Sequence, residues 1–471
     1  MNEWIATLDA DEQPLRMKAI AALSGAHPPP RAPAGNGDGA STLSGAAEAA
    51  RAGRPSPVDR SRGATNMHMH SRFSFNENGS SPAALAWSCA QVGLDFAGLV
   101  DFDVLDGLDE FHAAGRAFDL RVSVGIETRV VLPSHEGIVV NSPGEPGVSY
   151  QLGMGIPSPP TAAEDRACLR DLRESANRRI ASLMAACNAV LPRIALDFRE
   201  VKALSPLGNV TERHLTLAYA RKARRSVGEG PSLEAYWAET LGVDAEALRV
   251  AEEPEGPVLQ ARIRGAVLRA VCPAPLDAPY PSIGAFNSFT MRIGGLPTQP
   301  WRDGISPGES RTEALLVAAR DAGAAVFNVV PSRCFTTGQS DADPRFGAMR
   351  RAIDVALGLG LAVTCGTELN APGQALFDDI SVPELRDLAP IFRQGAALVH
   401  AHSALRRAVG RVGYLDTWAH RHFPVLSVRK QWYAEMGERL VPRAVEAVAA
   451  LACDRDPPTP RAIERVIAGH A

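Results

Sequence analysis

Thr65-Asn66-Met67-His68-Met69-His70-Ser71 decides how the rest of the chain is read, together with Val100-Asp101-Phe102-Asp103 about thirty residues later. In an extended strand alternate side chains share a face, so His68 and His70 project together while Met67 and Met69 point the other way. Two imidazoles on one face make half of a metal site. The same spacing recurs after apolar runs at Asp101 and Asp103 and at His400 and His402. Each pair is expected at the end of a buried strand.

Downstream of the first pair, Ser81-Pro82 caps a helix over AALAWSCAQVGL, with proline in its first turn and Gly93 near its end. A strand (FAGLVDFD), a helix (LDEFHAAGRAFD) and a strand (RVSVGIETRVVL) follow. The alternation resumes around Asn287 with FTMRIGGLPTQPW and the helix RTEALLVAARDAG. Next come the strand AAVFNVVP ending in Ser332-Arg333, the helix RFGAMRRAIDVALGLG and the strand LAVTCGTELN. AALVHAHS is read as the last strand, delivering His400 and His402. Such βα units imply a parallel sheet or barrel, whose strand carboxyl ends and following loops hold the active site.

Between the two βα blocks, residues 162–284 carry long amphipathic patterns and no convincing strand, which reads as a helical insertion standing over the sheet. Its polar cluster Gly208–His214 stands at a helix start. The remaining divisions are an N-terminal helical segment (1–26), interrupted near Pro14, and a Pro/Gly/Ala-rich linker (27–64). The barrel follows in two parts (65–161 and 285–405), then C-terminal helices (406–471). The linker holds few large apolar residues and is expected to be disordered. Two turn-rich loops, Asn141–Gly147 and Asn370–Gln374, each follow a Gly-x-Glu strand end. They are either two similar turns or a pair of loops on the rim of the site.

Composition narrows the function. Of 471 residues, 45% are hydrophobic and 22% charged, as in a soluble globular protein. Lys+Arg 49 against Asp+Glu 53 leaves a net charge of -4, so no basic field invites a nucleic-acid backbone. Seven scattered cysteines without a CxxC suit a reducing compartment. No basic-then-apolar signal opens the chain, and no apolar run approaches the ~20 residues that span a bilayer. A cytoplasmic protein without a membrane partner is expected; nothing indicates an oligomeric state.

The strand ends therefore supply His68 and His70, Asp101 and Asp103, Glu127, Glu368, and finally His400 and His402. Imidazoles mixed with carboxylates, without thiolates, suit Zn²⁺, Mn²⁺ or Fe²⁺. Such ions activate water and clamp the oxygens of a phosphoryl transfer, so a metal-dependent hydrolase follows.

These motifs resemble those of the polymerase and histidinol phosphatase (PHP) family. HMHSRFSFNENG resembles its opening His-x-His-Ser, LVDFDVLDG its Thr-Asp-His-Asp-x-x-x-Gly segment, VGIET its strand with a metal-bridging Glu127, and HAH its terminal Asp-x-His. The likeness covers residues 65–155 well and 285–405 more loosely; the insertion and the first 64 residues lie outside it. It implies an α/β fold, a distorted (β/α)7 barrel, with one to three divalent ions and phosphoesterase activity on a small phosphorylated metabolite. His68, His70, Glu127 and His402 are the implied ligands, completed by Asp101, Asp103 or His400, with Asp101 and Asp103 also in the catalytic set. Arg333 is expected to act on the substrate phosphate, a guanidinium fork gripping two oxygens. Arg129, Asn141, Glu368, Asn370 and His214 are further substrate-binding candidates, and Arg72 and Arg292 weaker ones. His420 and His422 are read as surface residues. The sequence departs from the family at Phe102, where a ligand histidine is usual, and at Gln151 or Tyr150. NVVPSR offers Asn328 rather than a histidine, and His400 replaces an aspartate. The departures leave two other readings: a hydrolase or isomerase of a non-phosphorylated substrate, or a binding protein that has lost turnover.

Overall fold

The structure is a computed structural model that describes residues 2–24, 63–76, 78–250, 252–271, 279–338, 343–371, 373–452 and 456–470. Most of the linker expected to be disordered lies outside the described residues.

Seven strands form one sheet in chain order: β1 (Thr65–Met69), β2 (Phe96–Phe102), β3 (Arg121–Val131), β4 (Val148–Met154), β5 (Leu296–Trp301), β6 (Val326–Val329) and β7 (Ala362–Cys365). β1 to β3 run parallel, β4 is antiparallel to both its neighbours, and β5 to β7 run parallel again. Beyond β7 the chain bridges back to β1 at Met69 and Glu368. His70 N donates to Glu368 O (2.9 Å) and Glu368 N to His68 O (2.8 Å), which nearly closes the barrel. A Cβ on Gly366 would lie 2.4 Å from that of His68, so only glycine lets these two segments meet. Parallel strands covered by helices bury both faces, and every residue of β5, β6 and β7 is buried, including the polar Thr298, Gln299, Asn328 and Thr364. Among the described residues no helix is long and apolar enough to cross a membrane.

The insertion between β4 and β5 is helical, beginning with Ala163–Val190 and continuing through Glu212–Val227 and Pro231–Leu241. It builds its own core from residues such as Leu183, Tyr219, Trp237 and Ile263. At the other end of the chain, helices Asn2–Thr7 and Gln13–Leu23 dock on the barrel through the buried pair Arg16–Glu110 (2.8 Å). Pro14 stands in the first turn of the second helix, so the break falls before it.

One expected element is of the other type. AALVHAHS is the middle of the helix Ala389–Val409, and it spans the boundary set at residue 405. Every residue from Gly395 to Leu405 is buried, and a helix buried all round reads as a continuous apolar run indistinguishable from a core strand. The helix lies so close to β7 that a Cβ on Gly395 would meet Val363 O at 1.9 Å.

Candidate metal centre

At the end of β1, the pleat turns His68 and His70 to one side, with ring centroids 5.2 Å apart, while Met67 and Met69 pack in the surrounding cores. Glu127 on β3 reaches them. Its Oε2 lies 3.0 Å from His68 Nε2 and 3.3 Å from His70 Nε2. The His70 nitrogen lacks the alignment of a hydrogen bond and stays unpartnered although buried. The three ligand atoms lie within 4.8 Å of one another. Two imidazoles, a carboxylate and one uncommitted buried lone pair form a donor set that fits a divalent ion.

The outer groups fix the rings. His68 Nδ1 donates to Asn328 Oδ1 (3.0 Å), whose amide is set in turn by donation to Thr364 Oγ1 (3.1 Å). His70 Nδ1 lies 3.1 Å from Ser74 Oγ, and Ser74 donates onward to Asp101 Oδ1 (2.7 Å). Both rings are thus held with Nε2 facing Glu127, the orientation a ligand histidine needs. Burial would raise Glu127, yet His68 and His70 hold it down to about 2. Burial also opposes a charge on His68, but the Glu127 carboxylate outweighs it and lifts the ring above its ordinary value.

Several expected ligands stand elsewhere. Asp101 accepts from Ser71 N, Ser71 Oγ and Ser74 Oγ, each at 2.7 Å, so both its oxygens are engaged one step behind His70. Asp103, at φ 61°, lines the cavity beside the cluster; burial pushes its carboxyl up to about 6 despite the Thr128 hydroxyl at 2.5 Å. His400 and His402 belong neither to the cluster nor to the cavity lining. His400 lies between Val122 O (3.0 Å) and Leu440 O (2.9 Å). His402 lies between Gly294 O (2.8 Å) and Tyr414 N (2.9 Å). Burial depresses both, His402 to about 3. Phe102, in place of the usual histidine, stacks on the His70 ring at 4.2 Å. Gln151 bonds Asn287 (2.9 Å) away from the cavity, whereas Tyr150 lines it.

The cluster opens, through His68 and Glu127, on a cavity between the barrel and the insertion. Arg129, Asn141, Arg333, Glu368 and Asn370 all line it, so the two turn-rich loops do share its rim. Arg333 is ion-paired with Glu368, one of two successive residues at positive φ (63° and 53°). Burial would lift Glu368, but Arg333 and His68 keep it below its usual range. His214 is instead a cap: its Nδ1 accepts from Thr211 N (3.1 Å), and burial holds it at about 3. Arg72 ties the N-terminal segment at Asp9 O (3.0 Å), and Arg292 pairs with Asp165 (2.8 Å).

The sequence reading missed the insertion's share of the wall. Arg179, 2% exposed, bridges Glu145 (3.1 Å) and Glu212 (2.7 Å), and Arg264 also holds Glu212 (2.7 Å). The only signal was the Gly208–His214 cluster, where Glu212 and Arg213 rather than His214 face the cavity.

No protein-family model matches the chain, and no curated protein matches it. Among solved structures it is similar to a candidate metal-dependent phosphoesterase from Bifidobacterium adolescentis, at 15% identity and a TM-score of 0.44. It is similar also to an amidohydrolase from Chromobacterium violaceum, at 19% identity and a TM-score of 0.44. Each likeness covers 69% of this chain and 96% of the other. What the fold and site define on their own is a nearly closed α/β barrel with a group that could hold a divalent ion.

Proposed function

We propose that the chain is a metal-dependent hydrolase of the PHP type that its motifs resemble, a phosphoesterase acting on a small phosphorylated metabolite. The observation that carries this is the juxtaposition of the His68, His70 and Glu127 cluster with a cavity to whose wall seven arginines contribute. A single ion is proposed. The serines engage Asp101, Phe102 covers the His70 ring, and the described residues hold no other group of ligand type. Zn²⁺, Mn²⁺ and Fe²⁺ all suit the donors.

When bound, a divalent ion supplies an activated water and neutralises charge on a phosphoryl oxygen. The chain's own residues do the remaining work. Asn328 and Ser74 keep the two rings aimed. Arg333, now paired with Glu368, offers its fork to the phosphate oxygens. Asp103, facing the cavity, is the carboxyl available to hand a proton to the leaving oxygen.

Incubating the purified protein with Mn²⁺ or Zn²⁺ and a panel of phosphomonoesters is expected to release phosphate, and Glu127→Gln is expected to abolish the release. A protein that binds an ion but cleaves no phosphoester would refute the phosphoesterase assignment; one that binds no ion would refute the hydrolase assignment.

A further inference from the structure

A second cavity lies at the opposite end of the barrel and shares no lining residue with the first. Leu120 and Val122, where β3 begins, line it, whereas Glu127 of the metal cluster stands five residues further along that strand, ~16 Å away. Three helices complete the wall, each offering residues at the spacing of one face. Leu108–Ala117 brings His112 and Arg116, Ala389–Val409 brings Arg407 and Ala408, and Pro442–Ala449 brings Val445 and Ala449. The alanines leave room that larger side chains would fill. The space is about 210 Å³, against the ~10–15 Å³ that a single water needs, so it admits a guest of several atoms.

Its polar groups converge without satisfying one another. His112 is 5% exposed, and its Nε2 is buried with no partner among the described residues. Burial, then Arg407 and Arg116, depress the ring to about 3, so both guanidinium groups bear on it. Arg407 anchors Nη1 on Pro157 O (2.7 Å), and burial, then Arg116, lower it in turn. Neither arginine is ion-paired among the described residues; Asp109 lies only within the field of Arg407, and Glu446 is an exposed residue of the third helix. His400 also lines the space, but Val122 O and Leu440 O take up its two nitrogens. Like charges gathered beside an unsatisfied buried nitrogen lack a counter-ion. The rest of the wall is largely aliphatic, which a hydrocarbon chain would cover and a bare phosphate would leave wet.

We propose that this cavity binds a small aliphatic carboxylate, its anionic end held by Arg116 and Arg407 and its chain laid against Val122, Ala408 and Val445. The buried His112 nitrogen gains, through one proton shared with a carboxylate oxygen, the partner it lacks. The site depends on neither the metal centre nor the phosphoesterase reading.

Isothermal titration of the full chain with hexanoate, hexan-1-ol and inorganic phosphate tests this without turnover. Hexanoate is expected to bind at one site per chain, roughly ten- to a hundredfold more tightly than hexanol, the gain of a charge-assisted contact. Arg116→Gln, at an exposed position, and separately Arg407→Gln are expected to remove most of that preference. Ala408→Leu, which fills the space, is expected to abolish hexanoate binding in a protein whose thermal melt shows it folded; should it fail to fold, the arginine variants still decide. Absence of hexanoate binding overturns the proposal, as does equal affinity for hexanoate and hexanol. Hexanoate binding that both arginine variants leave intact also overturns it, because the anion then sits elsewhere on the molecule. Phosphate that binds as tightly as hexanoate and is weakened equally by Arg116→Gln removes the aliphatic chain from the recognition and overturns it too.

Discussion

His68 and His70 on β1, and His400 and His402 on the helix Ala389–Val409, share one sequence spacing in two kinds of backbone. On the strand the period of two points both rings at Glu127. On the helix, residues two apart are turned about 200° from each other. His400 therefore meets the backbone of Val122 and Leu440, and His402, on the other side, that of Gly294 and Tyr414. The strand pair keeps a nitrogen uncommitted, while the helix pair is consumed in joining segments of the fold. The same His-x-His spacing gathers both rings at one carboxylate on an extended backbone and turns them apart on a helix.

The largest effect that bears on this contrast is on the metal. His68→Ala is expected to take bound ion from one per chain to none by elemental analysis, with phosphate release falling about a thousandfold or more. His402→Ala is expected to leave the ion in place. Loss of metal in the second variant and not the first would reverse the comparison.

The helix pair should show itself in stability instead. His402→Ala leaves Gly294 O and Tyr414 N without their partner in a buried setting and opens a cavity beside them. A loss of about 2–4 kcal/mol in urea unfolding is expected, against a much smaller change for the metal-free His68→Ala protein. Equal losses would mean that both pairs are structural.

Buried carboxyls sharpen the same distinction between satisfied and unsatisfied groups. Asp101 has three donors, whereas Asp378, 8% exposed, has one oxygen without a partner, and burial pushes it up to about 7. A carboxyl raised in the folded state costs nothing while it is protonated in both states. It destabilises progressively as pH rises from the unfolded value near 4 to the folded one near 7, after which the penalty is constant. Asp378→Asn is expected to stabilise the protein by on the order of 2–4 kcal/mol at pH 8 and to change little at pH 4. Thermal melts at the two pH values check it, and an equal effect at both would exclude the titration.

The smallest expected effect is at Asp101. Converting it to asparagine disturbs the serine relay behind His70 but removes no ligand, so metal affinity should fall by about ten- to a hundredfold with stoichiometry kept. Complete loss of metal would make Asp101 a ligand after all.

Much of the site was legible because it is local. His68, His70 and Glu127 announce themselves through alternation at strand ends, and Asp103, Asn141, Arg333, Glu368 and Asn370 lie in loops that follow such ends. The loops could not be told from ordinary turns until the barrel closed and brought both to one rim. His400 and His402 misled because a run buried on every side carries no period to separate helix from strand. Arg179 and Arg264 gave no sign at all, since an arginine that faces a cavity from an amphipathic helix looks in sequence like one on its solvated face.

By itself, the order of residues determined the βα rhythm, the place of the helical insertion and the histidine pair able to grip a cation, all of which depend on near neighbours in the chain. Only the tertiary structure decided which acid stands against the histidine pair and which are held by serines or arginines, and that the insertion lends its arginines to the cavity. Those outcomes depend on which groups from distant segments share a buried space, where hydrogen bonds and charges must be matched atom by atom, and no spacing along the chain encodes that directly.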